Sequence, residues 1–280
     1  MSIITFWSNQ KKQNGKTMSM LAIATYMAIE HNMKILVVST DHNQEIVQRC
    51  FWKEEKQKKF NFGIFGPNTK VLDSETGMKG LEKMIRSNKI TPQLITDYTK
   101  VVFKDRLEIL LGNDSISQQN KLDNAYPEVI KAANQYYDRI LVDLDFCVPD
   151  NARQQIFEMS DVIVLNLGQG LSDIEKFKEI KESMKDPILH SPKTILLVGR
   201  YDRNSKYNYK NITRYLKEKN QVLTIPYNTL YFEAIEEGTV ADLFLKFKRY
   251  TNTNKDDENA FFMQEVKRAT DNIVYRLVYM

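Results

Sequence analysis

The sequence predicts an α/β protein: a single doubly wound, mostly parallel sheet with helices on both faces. Three observations predict it. Short β-branched runs recur along the chain with longer helical patterns between them. Several of these runs are apolar throughout, as strands covered on both faces are. The 280 residues, 42% apolar and 27% charged, suit one domain over 1–280 with a substantial core.

The strands are expected at 3–7, 34–39, 107–111, 139–143, 161–167, 194–199 and 222–225. The first leads through a polar stretch into an alanine-rich helix at 16–31. Further helices are expected at 126–135 and 174–184, the latter capped by Ser172. The polar segment 251–259 reads as an exposed loop. Beyond it Phe262, Val266, Ala269, Ile273, Leu277 and Met280 recur at steps of three and four, forming one apolar stripe. Glu265, Lys267, Arg268, Asp271 and Arg276 mix both signs around that stripe, which fits a final core helix better than a helix lying on anionic lipid.

Composition excludes several classes. The net charge of +4 allows a polyanion partner without requiring one. Cys50 and Cys147 make no disulfide framework and match no zinc spacing; His31, His42 and His190 have no metal spacing either. No apolar run approaches the roughly 18 residues of a membrane span, and the first residues do not read as a signal peptide. The expected location is cytoplasmic.

The strongest chemical signal is Ser8-Asn9-Gln10-Lys11-Lys12-Gln13-Asn14-Gly15-Lys16-Thr17, which starts where the first strand ends and stops where the helix begins. Strand, loop and helix in that order form a phosphate-binding loop: backbone N–H groups and the helix N-terminus face the anion, a lysine adds charge, and a hydroxyl reaches Mg²⁺. Gly15, Lys16 and Thr17 fit those roles. Gln10 stands where the common motif has glycine, and Lys12 and Gln13 tolerate left-handed geometry less well than Asn14.

At these residues the sequence resembles the ParA/MinD family of deviant Walker A ATPases, whose loop usually reads KGGxGK[ST]. The resemblance implies a P-loop ATPase binding ATP and Mg²⁺ through Lys12, Gln13, Asn14, Gly15, Lys16, Thr17 and Met18. It makes Lys11 the signature lysine that reaches a phosphate across a dimer interface. Asp41, ending the second strand, takes the place of the acid that orients the attacking water, whereas the family's first acid there is Ser39. Asp143, ending the strand that follows Tyr137-Asp138, matches the Walker B acid and would support Mg²⁺ with Thr17; Asp145 stands nearby as an alternative. Ser160-Asp161, Val198-Gly199-Arg200 and Ile225-Pro226-Tyr227-Asn228 followed by Glu233-Ala234 and Gly238 extend the similarity. They make Arg200, Pro226 and Asn228 candidates to flank the base, with Gly199 where an asparagine often reads it.

The implied activity is an ATP-dependent homodimer that hydrolyses ATP slowly and positions a cargo. The alternative is a hydrolysis-deficient or nucleotide-free scaffold docking to a membrane or protein partner. The layout of 80–110 is similar to that of relatives placing pili or secretion machines, which favours a protein cargo or adaptor over DNA. Between Arg200 and Lys219 seven cations face two acids among four tyrosines, and this run reads as a solvated helix face with inward tyrosines before it reads as a non-specific DNA surface. Peripheral membrane contact would rest on the last helix. A redox relative sharing an iron–sulfur cluster would need a second suitably placed cysteine beside Cys147.

Overall fold

The computed structural model describes residues 1–9, 14–41, 45–53, 76–112, 122–183, 187–249 and 256–279. Among them lie eight strands: β1 (Ser2–Trp7), β2 (Ile35–Ser39), β3 (Lys100–Phe103), β4 (Leu107–Leu110), β5 (Arg139–Asp143), β6 (Val162–Leu167), β7 (Thr194–Tyr201) and β8 (Leu223–Pro226). They form one sheet in the order β3-β4-β2-β5-β1-β6-β7-β8. Every neighbouring pair is parallel except β3 with β4.

The helices cover both faces. On one side α1 (Lys16–Glu30), α2 (Glu45–Phe51), α9 (Thr229–Glu237), α10 (Val240–Lys248) and α11 (Glu258–Tyr279) pack on Ile4, Phe6, Val37, Val164 and Leu197. On the other side α3 (Gly77–Arg86), α4 (Pro92–Thr96), α5 (Tyr126–Ala133), α6 (Asp150–Met159), α7 (Leu171–Glu182) and α8 (Tyr209–Tyr215) cover Ile3, Trp7, Val38, Leu165 and Val198. Alternate strand residues thus feed two separate cores. β1 passes the chain toward the β4 side of the sheet, its neighbour β6 passes it toward the β8 side, and the carboxyl ends of β1 and β6 make the topological switch point where open α/β sheets bind ligands.

The final helix is a core element. Phe262, Val266, Ala269 and Ile273 are fully buried against α1 and β8, while Leu277 is half-buried and Met280 lies outside the described residues. No described helix is long and apolar enough to cross a membrane. Three features differ from the sequence expectation. β3, a four-residue edge strand not among those expected, has only a three-residue apolar run, with Val101 exposed, and is joined to β4 through Asp105 at φ 60°. Ser172 is not a cap: α7 starts at Leu171 after Gly170, so Ser172 lies inside its first turn. The polar segment ends early because Glu258 and Asn259 already belong to α11, while 251–255 lie outside the described residues.

Candidate functional site

The switch point places the end of β1 directly before the loop expected to bind phosphate. Lys11, Lys12 and Gln13 lie outside the described residues. On the near side of the loop Asn14, 6% exposed, donates through Nδ2 to the Ser8 hydroxyl and to the Asn166 carbonyl at 3.4 Å. Its Oδ1 accepts from the Lys16 N–H at 3.1 Å. Asn14 therefore braces the loop with its side chain, and the left-handed position belongs to Gly15, at φ 75°. A Cβ on Gly15 would stand 2.9 Å from Arg200 Cγ, and one on Gly199 would stand 2.3 Å from the Asn14 carbonyl oxygen. Loop and β7 pack backbone against backbone.

Past Gly15, α1 has no side-chain cap and no acid in its first turn, so its positive end faces the loop. Lys16 Nζ lies 3.0 Å from Asp143 Oδ1 and donates to the Leu144 carbonyl. The Thr17 hydroxyl donates to Asp143 Oδ2 at 2.7 Å. Asp143 is 1% exposed, and the sheet holds it level with Phe6 on β1 and Ser39 on β2. A buried carboxylate needs such partners to stay charged. The Thr17 and Asp143 oxygens also fit Mg²⁺, a hard cation that takes one or two protein oxygens and completes its shell with water and phosphate. Asp145 is occupied otherwise: its Oδ1 accepts from the Cys147 N–H at 3.1 Å in the turn after β5.

The end of β2 is tied to the same place. Thr40 donates to the Asp143 carbonyl from its N–H at 3.1 Å and from its hydroxyl at 2.9 Å, and the hydroxyl accepts from the Asp145 N–H at 2.9 Å. This brings Asp41, half-buried, to the carboxylate edge of the sheet. Sequence reasoning missed Gly112, where a Cβ would stand 2.7 Å from the Ser39 carbonyl oxygen. Its only signal is a glycine just past an apolar strand. Buried Asp123 was missed as well.

Cys147 Sγ donates to the Thr40 carbonyl at 3.1 Å, and burial, followed by Asp145, Asp123 and Asp41, pushes its pKa up to about 12. Folding favours the neutral thiol. Its contribution to stability is present below the unfolded thiol's pKa and is lost as pH rises toward the folded value. At pH 8 iodoacetamide is expected to alkylate half-buried Cys147 roughly a hundredfold or more slowly in the folded chain than in urea; equal rates by peptide mass spectrometry would contradict the raised thiol pKa. Cys50 packs in the core on the opposite face of the sheet, so the two thiols do not meet.

On the base side, Pro226 ends β8 beside Tyr201, and Arg200, exposed and at φ 53°, lies against Gly15 on the loop side. Asn228, the third candidate to flank the base, has both ends of its side-chain amide engaged within the chain. It is 5% exposed, its Oδ1 caps α9 by accepting from the Tyr231 N–H at 2.9 Å, and its Nδ2 donates to Asn259 Oδ1 at 2.9 Å. The Tyr231 hydroxyl donates to the Met18 carbonyl at 2.8 Å, which joins this segment to α1. In the basic run, Tyr201 is buried and Tyr207 and Tyr209 pack on the core, while Tyr215 stays exposed with Lys178 Nζ 4.4 Å above its ring. Arg203 pairs with Glu258 at 2.8 Å. The tyrosines mostly serve packing, as a solvated helix face requires.

No protein-family model and no curated protein sequence matches the chain. Solved structures do. A ParA family ATPase from Chlorobium tepidum superposes with TM-score 0.65 at 12% identity, over 100% of this chain and 99% of the other. The septum site-determining protein MinD from Pyrococcus horikoshii, complexed with Mg-ADP, gives 0.62 at 15% over 100% and 99%. The MinC:MinD cell division complex from Aquifex aeolicus gives 0.58 at 17% over 97% and 96%. The chain has the fold of the ParA and MinD ATPases.

Proposed function

We propose that this chain, on its ParA/MinD fold, is a member of that family and a Mg-ATP-dependent dimerisation switch that positions a cellular cargo. The observation that carries the reading is the convergence of Lys16, Thr17 and buried Asp143 beside a phosphate loop at the sheet's switch point. Lys16 and the α1 N-terminus hold the β and γ phosphates. Asn14, Gly15 and Met18 shape the cradle that Lys12 and Gln13 complete. Thr17 and Asp143 would hold Mg²⁺, which when bound would neutralise charge on the phosphates. Lys16 then exchanges its ion pair with Asp143 for the phosphates. Asp41 orients the attacking water for slow hydrolysis, Lys11 reaches the nucleotide of a second copy, and Arg200 and Pro226 flank the nucleotide.

The MinD structure with Mg-ADP and the complex with MinC support nucleotide binding and a protein partner by analogy of fold. A protein cargo or adaptor is the favoured partner, ahead of DNA or a membrane surface, and the cytoplasm is the expected location. Equilibrium dialysis against radiolabelled ATP with Mg²⁺ is expected to retain about one nucleotide per chain. No retention at millimolar ATP would overturn the reading.

A further inference from the structure

Beneath the phosphate loop lies a group of polar side chains that the nucleotide chemistry does not use. Asn166 is fully buried in β6, and neither its amide nitrogen nor its amide oxygen has a hydrogen-bond partner among the described residues. Strand alternation fixes its direction. Leu165 and Leu167 belong to one core and Val162 and Val164 to the other, which contains α1, so Asn166 points to the α1 side. There it lies opposite Leu197 on β7 and one residue past the pairing of Trp7 with Leu165 on β1. Its own carbonyl already meets the Asn14 amide at 3.4 Å. The Ser19 hydroxyl, 1% exposed and also without a partner among the described residues, lies 3.0 Å from where a Cβ on Gly199 would be. The Asn9 amide is buried and unpartnered in the same sense.

A buried amide with both ends unpaired is costly and uncommon, and such a group calls for a specific explanation, of which stored strain, a catalytic role or a bound water are the known kinds. The buried neighbours of Asn166 along β6, Leu165 and Leu167, are apolar and give the amide no partner. Asn14 is the brace between Ser8 and the start of α1, so any settling of the loop onto a phosphate moves Asn14 relative to Asn166.

We propose that Asn166 is a positioning residue for the phosphate loop: its amide is left unpaired in the nucleotide-free chain and is satisfied by the Ser8–Asn14 brace when a nucleotide triphosphate seats. The inference rests on the proposed ATP site and adds to it the residue beneath the Ser8–Asn14 brace that couples that brace to binding. Part of the binding free energy then comes from relieving an amide that folding left unsatisfied. Asn166 touches no phosphate; it acts through Asn14.

The test compares wild type with Asn166→Val and Asn166→Thr, two variants of nearly equal shape that differ in one hydroxyl, by thermal melting without nucleotide and by calorimetric titration with Mg and AMPPNP. Asn166→Val is expected to melt no lower than Asn166→Thr yet to bind at least about tenfold more weakly than wild type. Asn166→Thr, which keeps a hydroxyl, is expected to bind within about threefold of wild type. A purely structural asparagine, or one bridged by buried water, would leave the affinities of the two variants equal, and that result overturns the proposal. A wild type that binds no nucleotide overturns the ATP site itself, whereas a wild type and Asn166→Val that bind equally overturn only the role of Asn166.

Discussion

Lys16→Ala is expected to abolish ATP retention and to lower the stability of the nucleotide-free chain by about 3 kcal/mol. Both effects come from one geometry. Lys16 Nζ is the cation 3.0 Å from Asp143, whose side chain is 1% exposed. Removing it leaves a buried carboxylate that the Thr17 hydroxyl still meets at 2.7 Å but no cation balances, and an uncompensated buried charge is costly. The same ammonium is the loop's charge for the phosphates, and truncating one member of a desolvated charge pair typically costs about 2–5 kcal/mol of binding. The two effects separate in Lys16→Met with Asp143→Asn. Neutralising both partners is expected to return urea stability to near wild type, because a buried ion pair is often no better than a neutral pair of similar volume. ATP retention stays lost. Lys16→Ala with full stability would contradict the placement of Asp143.

Gly199→Ala is expected to destabilise by about 1–3 kcal/mol and to weaken ATP binding with it. The new methyl would stand 2.3 Å from the Asn14 carbonyl oxygen and 3.0 Å from the Ser19 hydroxyl. Neither backbone can yield alone, because Gly15, one residue on, is held against Arg200. The loop must lift from β7, and lifting it disturbs the brace that sets Lys16. Gly168→Ala is the control. Its methyl would meet the Asp173 carboxylate at 2.1 Å, but a side-chain end can swing aside, so a smaller loss and unchanged binding are expected. Urea unfolding of both variants beside wild type checks the pair; equal losses would contradict the tight approach of β7 to the loop.

The parallel strands were legible because each carries its own apolar run, and the loop because strand, loop and helix follow one another in the order that phosphate binding needs. β3 was not legible, since its apolar run is only Val101-Val102-Phe103, and at the sheet edge Val101 is exposed while Val102 and Phe103 are partly buried. Gly199 reads in sequence as the absence of an asparagine at a base, whereas its physical meaning is a bare backbone that lets Asn14 approach. Asn228 looks like a polar group offered to a ligand, yet a helix cap and Asn259 occupy both ends of its amide. The sequence offers Asp143 and Asp145, two residues apart, and favours Asp143 by its likeness to the Walker B strand. Packing separates them, because Lys16 and Thr17 converge on the first and the following turn takes the second. Asn166 is silent in sequence, since one polar residue within an apolar strand has no pattern to stand out from. Its significance lies in what fails to meet it.

The most direct test of the switch is molar mass by light scattering in Mg-ATP against Mg-ADP, on wild type, Lys11→Ala and Asp41→Ala. The account predicts a dimer with ATP alone in wild type, a dimer that persists in Asp41→Ala, where water is no longer oriented for hydrolysis, and a monomer in Lys11→Ala. A mass indifferent to nucleotide in all three proteins would contradict it and would make the chain a scaffold.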